Sequence, residues 1–557
     1  MNRAHHRPAD RPARTPHPAR TPRPPVALAV CTLALAGAAT LLTLTLPAPT
    51  HASPTATPPT TTPRLPVERA HLLCPAPTDE DRGETLRTAL VRTPPTTDGP
   101  GPGFRDAESS PPASREHDTA RLTTATTGAT PAPVIALTAP GRPGTARARG
   151  AEAPALVGTA TGRLAPGFSA HQTTLVPTGK ARGLLGLACV RPGTDLRLPG
   201  TSTAAGRRDT VHLVNPDETP AVVDLTLTGP EGALDPDPQA PPGTAPGENL
   251  RVPPHGALAV AIADLTPRAL ADLTLRVTTR VGRVGAAVRV TADGVGTDWL
   301  TAAEPGPRTV LPGIPADATA VRLILQAPGT ADADLRIRLA GRTGTLVPAE
   351  HEEIRVPAGA TTSVDLGPLT RGETGTLLLD PVDPANPVPV VAALRVVRGA
   401  GAAQEIAFVP GTAPLGPGER ATLTDNRAPT GPETGTTLAL TAPDAAATVL
   451  ITPYGPDGPA PDRAKEYTVP AGTTLAVTAP PTPPGLAAGA PYALTVTHRA
   501  GGPVHGSRAL TAREGGVDMI TITPLADDHA TVPAPRVRRD LGVLTTPDTA
   551  PDPEPTT

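Results

Sequence analysis

The chain has 557 residues, and 78 prolines with 54 glycines make up close to a quarter of it, a share near that of low-complexity sequences. Part of the chain is therefore expected to lack fixed structure, and the rest to be rich in turns. The net charge is −3, and the six arginines in residues 1–25 leave a mildly acidic body, which excludes electrostatic binding of nucleic acid as a function class.

Aromatic side chains are scarce, with three phenylalanines, three tyrosines and one tryptophan. Any core must therefore be built from valine, leucine, isoleucine and alanine, which suit β-strands. The abundance of alanine, proline, glycine and arginine indicates GC-rich coding, as in actinobacteria.

A basic arm, residues 1–25, precedes an uncharged apolar segment, residues 26–46. About 20 apolar residues span a bilayer, and the basic flank predicts a cytoplasmic N-terminus with the body outside the cell. The alternative is a signal sequence cleaved near Ala52, although signal apolar regions usually have about 7–15 residues. Both interpretations place the body outside the cytoplasm.

Residues 47–63 form a Pro/Thr stalk that should be extended, and glycosylation of its threonines is conceivable. Residues 64–203 are predicted to be an N-terminal β-domain. Within it, residues 76–150 are rich in proline, threonine, glycine and arginine, and we expect a disordered insertion with one strand near 134–138.

A corner built around a Val-Pro pair occurs three times downstream, at residues 250–265, 354–366 and 467–477. The prolines are Pro253, Pro357 and Pro470, with steps of 104 and 113 residues. Each step is about the length of one β-sandwich domain. His255 occupies the corner position where the other two copies have glycine, and an exposed turn histidine is the favoured interpretation.

Two further patterns recur. A pair of closing strands occurs four times, first at residues 183–190 and 194–200, and a strand-turn-strand unit occurs three times, first at 211–227. Together they predict an all-β chain of tandem immunoglobulin-like β-sandwich domains after one transmembrane helix. The predicted sandwiches are 204–314, 315–412 and 435–533, with a linker at 413–434 and a disordered acidic tail at 534–557.

The chain has three cysteines, and Cys31 lies inside the apolar segment. Outside the cytoplasm, the simplest state of Cys74 and Cys189 is a disulfide, worth about 4 kcal/mol for a loop of this length in the chain-entropy description. The alternative is two unpaired buried cysteines.

Several segments resemble an uncharacterised actinobacterial family of secreted or membrane-anchored envelope proteins, DUF5719. They include Leu-Leu-Cys-Pro at 72–75, residues 155–168, residues 183–189 and Thr-Asp-Trp-Leu at 297–300. The family carries no assigned activity, so the resemblance implies no catalytic residue.

The sequence lacks the His-Glu-x-x-His zinc motif, the Gly-x-Ser-x-Gly nucleophile motif and a phosphate-binding loop. No catalytic residue, cofactor or metal is predicted. Asp332 and Asp334 have a spacing seen in calcium sites, but solvated turn carboxylates are the favoured interpretation. Trp299, near a domain junction, is expected to bury a core or interdomain contact, and ligand stacking is the alternative.

These observations favour a non-catalytic, membrane-anchored envelope protein that acts as a scaffold or protein-interaction module. One alternative is a cell-wall glycan-binding protein or an accessory to envelope glycan-processing enzymes. A second is an enzyme acting on cell-wall polymer. That enzyme would need two carboxylates facing each other across a cleft.

Overall fold

The structure, a computed structural model, describes residues 64–92, 118–126, 130–234, 245–431 and 434–533. The predicted arm, apolar segment, stalk and tail lie outside these ranges. Within the described residues, no helix is long and apolar enough to cross a membrane.

The described residues form an all-β structure of antiparallel sheets, as the sequence predicts. Their only helical segments are four short 3-10 turns, at Gly162–Leu164, Ile262–Leu265, Gly401–Ala403 and Pro461–Arg463.

The strands fall into four repeats, each of which packs two sheets around an apolar core. The first repeat has sheets β2-β7-β4-β5 and β6-β3-β8-β9 and is preceded by β1. Its strands are β1 (Arg64–Pro66), β2 (Arg69–Cys74), β3 (Glu84–Leu90), β4 (Ala120–Thr124), β5 (Pro133–Leu137), β6 (Gly144–Arg149), β7 (Leu156–Thr161), β8 (Ser169–Val176) and β9 (Gly183–Ala188).

The second repeat contains β10 (Asp195–Thr201), β11 (Arg207–Val214), β12 (Ala221–Gly229), β13 (Gly232–Ala233), β14 (Leu250–Val252), β15 (Ala257–Ala261), β16 (Leu273–Val281), β17 (Gly285–Ala292) and β18 (Gly296–Thr301). One sheet has the order β10-β16-β12-β13, with β14 also paired to β12, and the other has the order β15-β11-β17-β18.

The third and fourth repeats have the same topology as the second. The third contains β19 (Thr309–Ile314), β20 (Ala318–Gln326), β21 (Ala333–Ala340), β22 (Thr345–Leu346), β23 (Glu353–Val356), β24 (Thr361–Gly367), β25 (Gly375–Pro381), β26 (Val391–Arg398) and β27 (Glu405–Pro410). The fourth contains β28 (Arg420–Arg427), β29 (Gly435–Ala442), β30 (Ala447–Gly455), β31 (Gly458–Pro459), β32 (Lys465–Val469), β33 (Thr473–Val477), β34 (Pro491–Gly501), β35 (His505–Glu514) and β36 (Val517–Pro524), and β37 (Thr531–Pro533) follows it.

Side-chain alternation explains why these segments form strands. In β21, Leu335, Ile337 and Leu339 point into the core of the third repeat, while Asp334 and Arg336, which alternate with them, are exposed. A period of two places one set of side chains on each face of a sheet, so such a strand is half-buried.

The four repeats form a closed ring. The last strand of each repeat packs against the last strand of the next: β9 contacts β18, β18 contacts β27, β27 contacts β36, and β36 contacts β9. The first and last strands, β1 and β37, pair with each other in antiparallel register. Closure thus joins the two ends of the folded chain, and the four last strands surround a common axis.

The structure shifts the predicted boundaries. The sequence places the strands at 194–200 and 310–313 at the ends of their domains, but β10 and β19 each pair inside the following repeat. The predicted linker contains β28, the first strand of the fourth repeat. An apolar strand pattern does not show which sheet the strand will join, because both sheets of a sandwich need the same pattern.

The predicted insertion is also corrected. Besides the strand near 134–138, residues 76–150 contain β3, β4 and β6, and only residues 93–117 and 127–129 lie outside the described part. β3 and β4 bury Leu86, Ala89 and Leu122. Each strand offers few large apolar residues, but pairing with β7 and β8 satisfies its backbone groups.

Candidate functional site at the ring axis

The four last strands around this axis, β9, β18, β27 and β36, are called the axial strands. They end around one cavity. The final residue of each strand and the residue two positions before it all line it, namely Gly186, Ala188, Trp299, Thr301, Phe408, Pro410, Ile522 and Pro524. The cavity has a volume of about 360 Å³. Since every repeat contributes, this site exists only when the ring is closed.

Apolar and polar groups both line this axial cavity. Trp299 and Phe408 contribute buried aromatic rings, 3% and 1% exposed, while Thr301, Thr422 and Thr523 add hydroxyl-bearing side chains. An apolar surface next to hydroxyl groups suits a small amphipathic ligand.

Charged groups of both signs line the cavity, two arginines and three carboxylates. Asp195 accepts a hydrogen bond from Arg197 Nη1 at 3.1 Å and another from Arg276 Nε at 2.9 Å. Arg191 Nη2 donates to the carbonyl of Asp528 at 2.9 Å. The cavity therefore presents donors and acceptors without a large excess of one sign, which disfavours selection for a highly charged ligand.

Trp299 lies where the first and second repeats meet. Its ring packs with Val176, Leu185 and Leu187 of the first repeat and contacts His212 edge-on, with ring centroids 5.3 Å apart. The expected interdomain contact is thus present. Trp299 also lines the axial cavity, and its buried Nε1 has no hydrogen-bond partner among the described residues.

Asp298 is a polar group that joins all four repeats. Its carboxyl is fully buried; Oδ1 accepts a hydrogen bond from Thr521 Oγ1 at 2.9 Å and Oδ2 accepts one from the Phe408 backbone N–H at 3.2 Å. Thr521 Oγ1 in turn accepts the Gly186 N–H at 2.9 Å. One carboxyl of the second repeat is therefore connected to the other three repeats, directly behind residues that line the cavity.

Burial raises the pKa of Asp298 to about 8, although hydrogen bonds from Trp299, Thr521 and other groups oppose the rise. Burial likewise raises the pKa of the nearby Glu405 to about 9, against the attraction of Arg182. A carboxyl taken out of water favours its neutral form when no cation is paired with it.

Asp298 and Glu405 are two buried carboxyls that influence each other electrostatically, but their placement does not suit the chemistry of the enzyme alternative. Both side chains are fully buried, and neither lines the axial cavity. Glycoside hydrolysis needs two carboxyls that reach the substrate from opposite sides of a cleft. Sequence reasoning passed over both residues, since no local motif marks them.

Cys74 and Cys189 form the predicted disulfide. The bond ties the end of β2 to the residue after β9, next to a backbone bridge between Leu73 and Val190. The other repeats have the matching bridges Arg197–Ala303, Val310–Thr412 and Ala421–Asp527. The disulfide therefore reinforces, in the first repeat, a junction that the others make by hydrogen bonds, including one from Thr412 Oγ1 to the Val310 carbonyl at 3.1 Å.

The remaining sequence candidates have structural roles. Asp332 accepts hydrogen bonds from Arg355 Nη2 at 2.6 Å and from the Ala358 N–H at 2.8 Å. Among the described residues, no group of three or more metal-ligating side chains is placed to hold an ion. His255 has φ +48°, and the matching Gly359 and Gly472 have φ +70° and +68°, so this histidine adopts the left-handed turn that glycine suits best.

The pattern of the family of unknown function DUF5719 matches residues 144–480, more than half of the chain. The chain belongs to the DUF5719 family. A search of the curated proteins finds no match.

The DUF5719 match begins at β6 and ends between β33 and β34. The first and fourth repeats are complete only with β2 to β5 and β34 to β36, which lie outside the matched region. The ring of this DUF5719 protein therefore extends beyond the part of the chain that identifies the family.

Proposed function

We propose that this DUF5719 protein is a non-catalytic, extracytoplasmic envelope protein whose immunoglobulin-like repeats form a scaffold for a partner. The observation that carries the proposal is the axial cavity, which all four repeats build together. A closed ring of repeats holds its binding surface in one arrangement, and this lowers the entropy cost of binding a partner. The disulfide adds support, because such bonds persist in oxidising compartments.

The proposal includes anchoring by residues 26–46, with the N-terminus in the cytoplasm. The mass of the protein isolated from membranes tests this, because cleavage near Ala52 would remove the arm and the apolar segment together. An intact N-terminus in the membrane fraction supports the anchor. A mature chain that begins after Ala52 contradicts it and supports secretion.

Site-specific photo-crosslinking in intact cells tests the scaffold role. A photoreactive residue replaces Glu304, which is exposed at the axial cavity, and the matched control replaces Glu466, which is exposed on β32 away from it. We expect one envelope protein to be captured from position 304 and to be missing from position 466. Identical captured proteins at both positions would count against a scaffold centred on the axis.

A second candidate is binding of cell-wall glycan, as a glycan-binding protein or an accessory to glycan-processing enzymes. The observation that favours it is the mixture of apolar residues, hydroxyl groups and charges of both signs that lines the axial cavity, since sugars offer one apolar face and many hydroxyls. Purified wall polymer should bind the wild type and lose affinity for Glu304→Ala and Thr301→Val. Unchanged affinity of both variants would argue against this site.

A further inference from the structure

A second cavity lies between the first and fourth repeats, where the ring closes. We call it the closure cavity; its volume is about 180 Å³. Its walls come from β3, β6, β8 and β9 of the first repeat and from β28 and β35 of the fourth. It shares no lining residue with the axial cavity, so it is a separate site.

Strand register explains the wall that the first repeat provides. Arg147 of β6 and Thr173 of β8 both pair with Leu86 of β3, so a cation, an apolar group and a hydroxyl form one row across three strands. Directly paired residues lie on the same face of a sheet. The row two positions along the strands consists of Arg149, Glu84, Leu175 and Leu184.

The apolar part of the lining comes from both repeats. Leu86 and Leu184 of the first repeat are 4% and 3% exposed, and Leu510 of the fourth is 2% exposed. Leu184 and Leu510 pack in one cluster with Leu175. Ala512 follows Leu510 by two positions on β35, shares its face and is half-buried. A short alkyl chain could therefore contact both walls at once.

One of the three arginines in the lining has no partner. Arg149 is paired with Glu84 at 3.0 Å, and Arg427 Nε donates to Asp425 Oδ1 at 2.9 Å. Arg147 is exposed and makes no ion pair or side-chain hydrogen bond with the described residues. The closure cavity therefore has one unpaired positive charge, which matches a ligand with a single negative charge.

The Thr173 hydroxyl is a second group left open at this cavity. The residue is 4% exposed, and its Oγ1 has no hydrogen-bond partner among the described residues. On the opposite face of the same sheet, Thr85 Oγ1 and Thr174 Oγ1 lie 2.9 Å apart and satisfy each other. A buried hydroxyl without a partner costs free energy, and an oxygen atom of a ligand would recover it.

We propose that the closure cavity binds a small carboxylate with a short alkyl chain. The carboxylate accepts hydrogen bonds from Arg147 and Thr173, and the chain lies against Leu184 and Leu510. The planar guanidinium of arginine suits a carboxylate. The volume is below the roughly 300–1,000 Å³ of pockets for drug-sized ligands, so the chain must be short.

The site depends neither on the proposed scaffold role nor on a ligand in the axial cavity. Because both the first and the fourth repeat contribute walls, the ligand binds only the closed ring. Binding to one state stabilises that state, so the carboxylate should also raise the melting temperature of the protein.

Calorimetric titration of the full chain with octanoate tests the proposal. The wild type should bind it, Arg147→Gln should bind at least about tenfold more weakly, and Thr173→Val about threefold to tenfold more weakly. The matched control is Arg251→Gln, at an exposed arginine of β14 that lines neither cavity, and it should keep the wild-type affinity. Non-specific uptake is common to all variants, so differences between them report on the closure cavity.

Two other probes separate charge from apolar contact. Octylammonium has the same chain and the opposite charge, and inorganic phosphate has negative charge without a chain; both should bind much more weakly than octanoate. Ala512→Glu tests the fourth-repeat wall, because its carboxylate would repel the ligand, and it should abolish both binding and the rise in melting temperature.

Absence of octanoate binding to the wild type would overturn the proposal. Equal affinity of Arg147→Gln and the wild type, or of Ala512→Glu and the wild type, would place the bound octanoate elsewhere and overturn it too. Octylammonium or phosphate binding as tightly as octanoate would contradict the proposed ligand class.

Discussion

The first repeat has two interfaces, which we call seams. One is formed with the second repeat and one with the fourth. The first seam is apolar around Trp299, which packs on Leu185 and Leu187. The other seam combines apolar contacts with a buried hydroxyl network, in which Thr424 Oγ1 lies 2.7 Å from Thr88 Oγ1 and 3.0 Å from His171 Nδ1.

This difference bears on how the first and fourth repeats pair through one particular pair of surfaces. Neighbours in the chain are held close by a short connection, and the first seam relies mainly on apolar burial. The later junctions between chain neighbours also bury hydroxyl pairs, Thr274 with Thr361 and Thr376 with Thr441. The first and fourth repeats are distant in the chain, and several pairings of their surfaces would bury similar apolar area. A buried hydroxyl network penalises every other pairing, because a misplaced donor or acceptor stays unsatisfied.

The largest effect is expected from Trp299→Ala, which removes the centre of the apolar seam. Truncation of a buried aromatic side chain costs about 3–5 kcal/mol of unfolding free energy. Chemical denaturation measures it. Trp299→Phe is the control and should lose much less, and equal losses for the two variants would show that apolar burial is not what matters.

Thr424→Val tests the polar seam. The valine keeps the shape but leaves the Thr88 hydroxyl and His171 Nδ1 without this partner, at a cost of about 1–3 kcal/mol. The double variant Thr88→Val with Thr424→Val should be less destabilised than the sum of the single variants. Strict additivity in the same denaturation measurement would contradict the network.

Acid should weaken the polar seam through His171. Burial, with a contribution from Arg508, lowers the pKa of His171 to about 3. The unfolded chain takes up this proton below the ordinary value of 6.5, so stability falls as the pH drops from about 6.5 toward 3, by up to about 1.4 kcal/mol per pH unit. Burial also lowers the pKa of His212 to about 3 and that of His505 to about 4, so His171→Gln should reduce the slope of stability against pH without abolishing it. An unchanged slope in denaturation measured across that range would exclude His171.

The smallest effect is expected from the ion pair that crosses the apolar seam. Arg289 Nη2 lies 2.6 Å from Asp79 Oδ2, and the Asp79 side chain is 66% exposed. An exposed partner limits the contribution to under about 1 kcal/mol, screened by salt. Asp79→Asn should therefore shift the melting temperature slightly at low salt and hardly at high salt, whereas a large salt-independent shift would place this pair among the main contacts of the seam.

The local pattern was enough to predict the all-β class, the alternation in β21 and the Cys74–Cys189 disulfide. It also marked the corner where His255 replaces glycine, although only the backbone shows that all three corners are left-handed. The strand class, the alternation and the corner depend on neighbours in the chain, and the disulfide pairing follows because only two cysteines lie outside the apolar segment. A single sequence records both the neighbours and the cysteines directly.

Only the tertiary structure decided that the repeats close into a ring, that β10, β19 and β28 open their repeats, and that β3, β4 and β6 are strands. It alone brought Asp298 together with Thr521 and Phe408. The physical reason is that strand pairing and burial act between segments far apart in the chain. The same residue pattern is compatible with several partners until packing selects one.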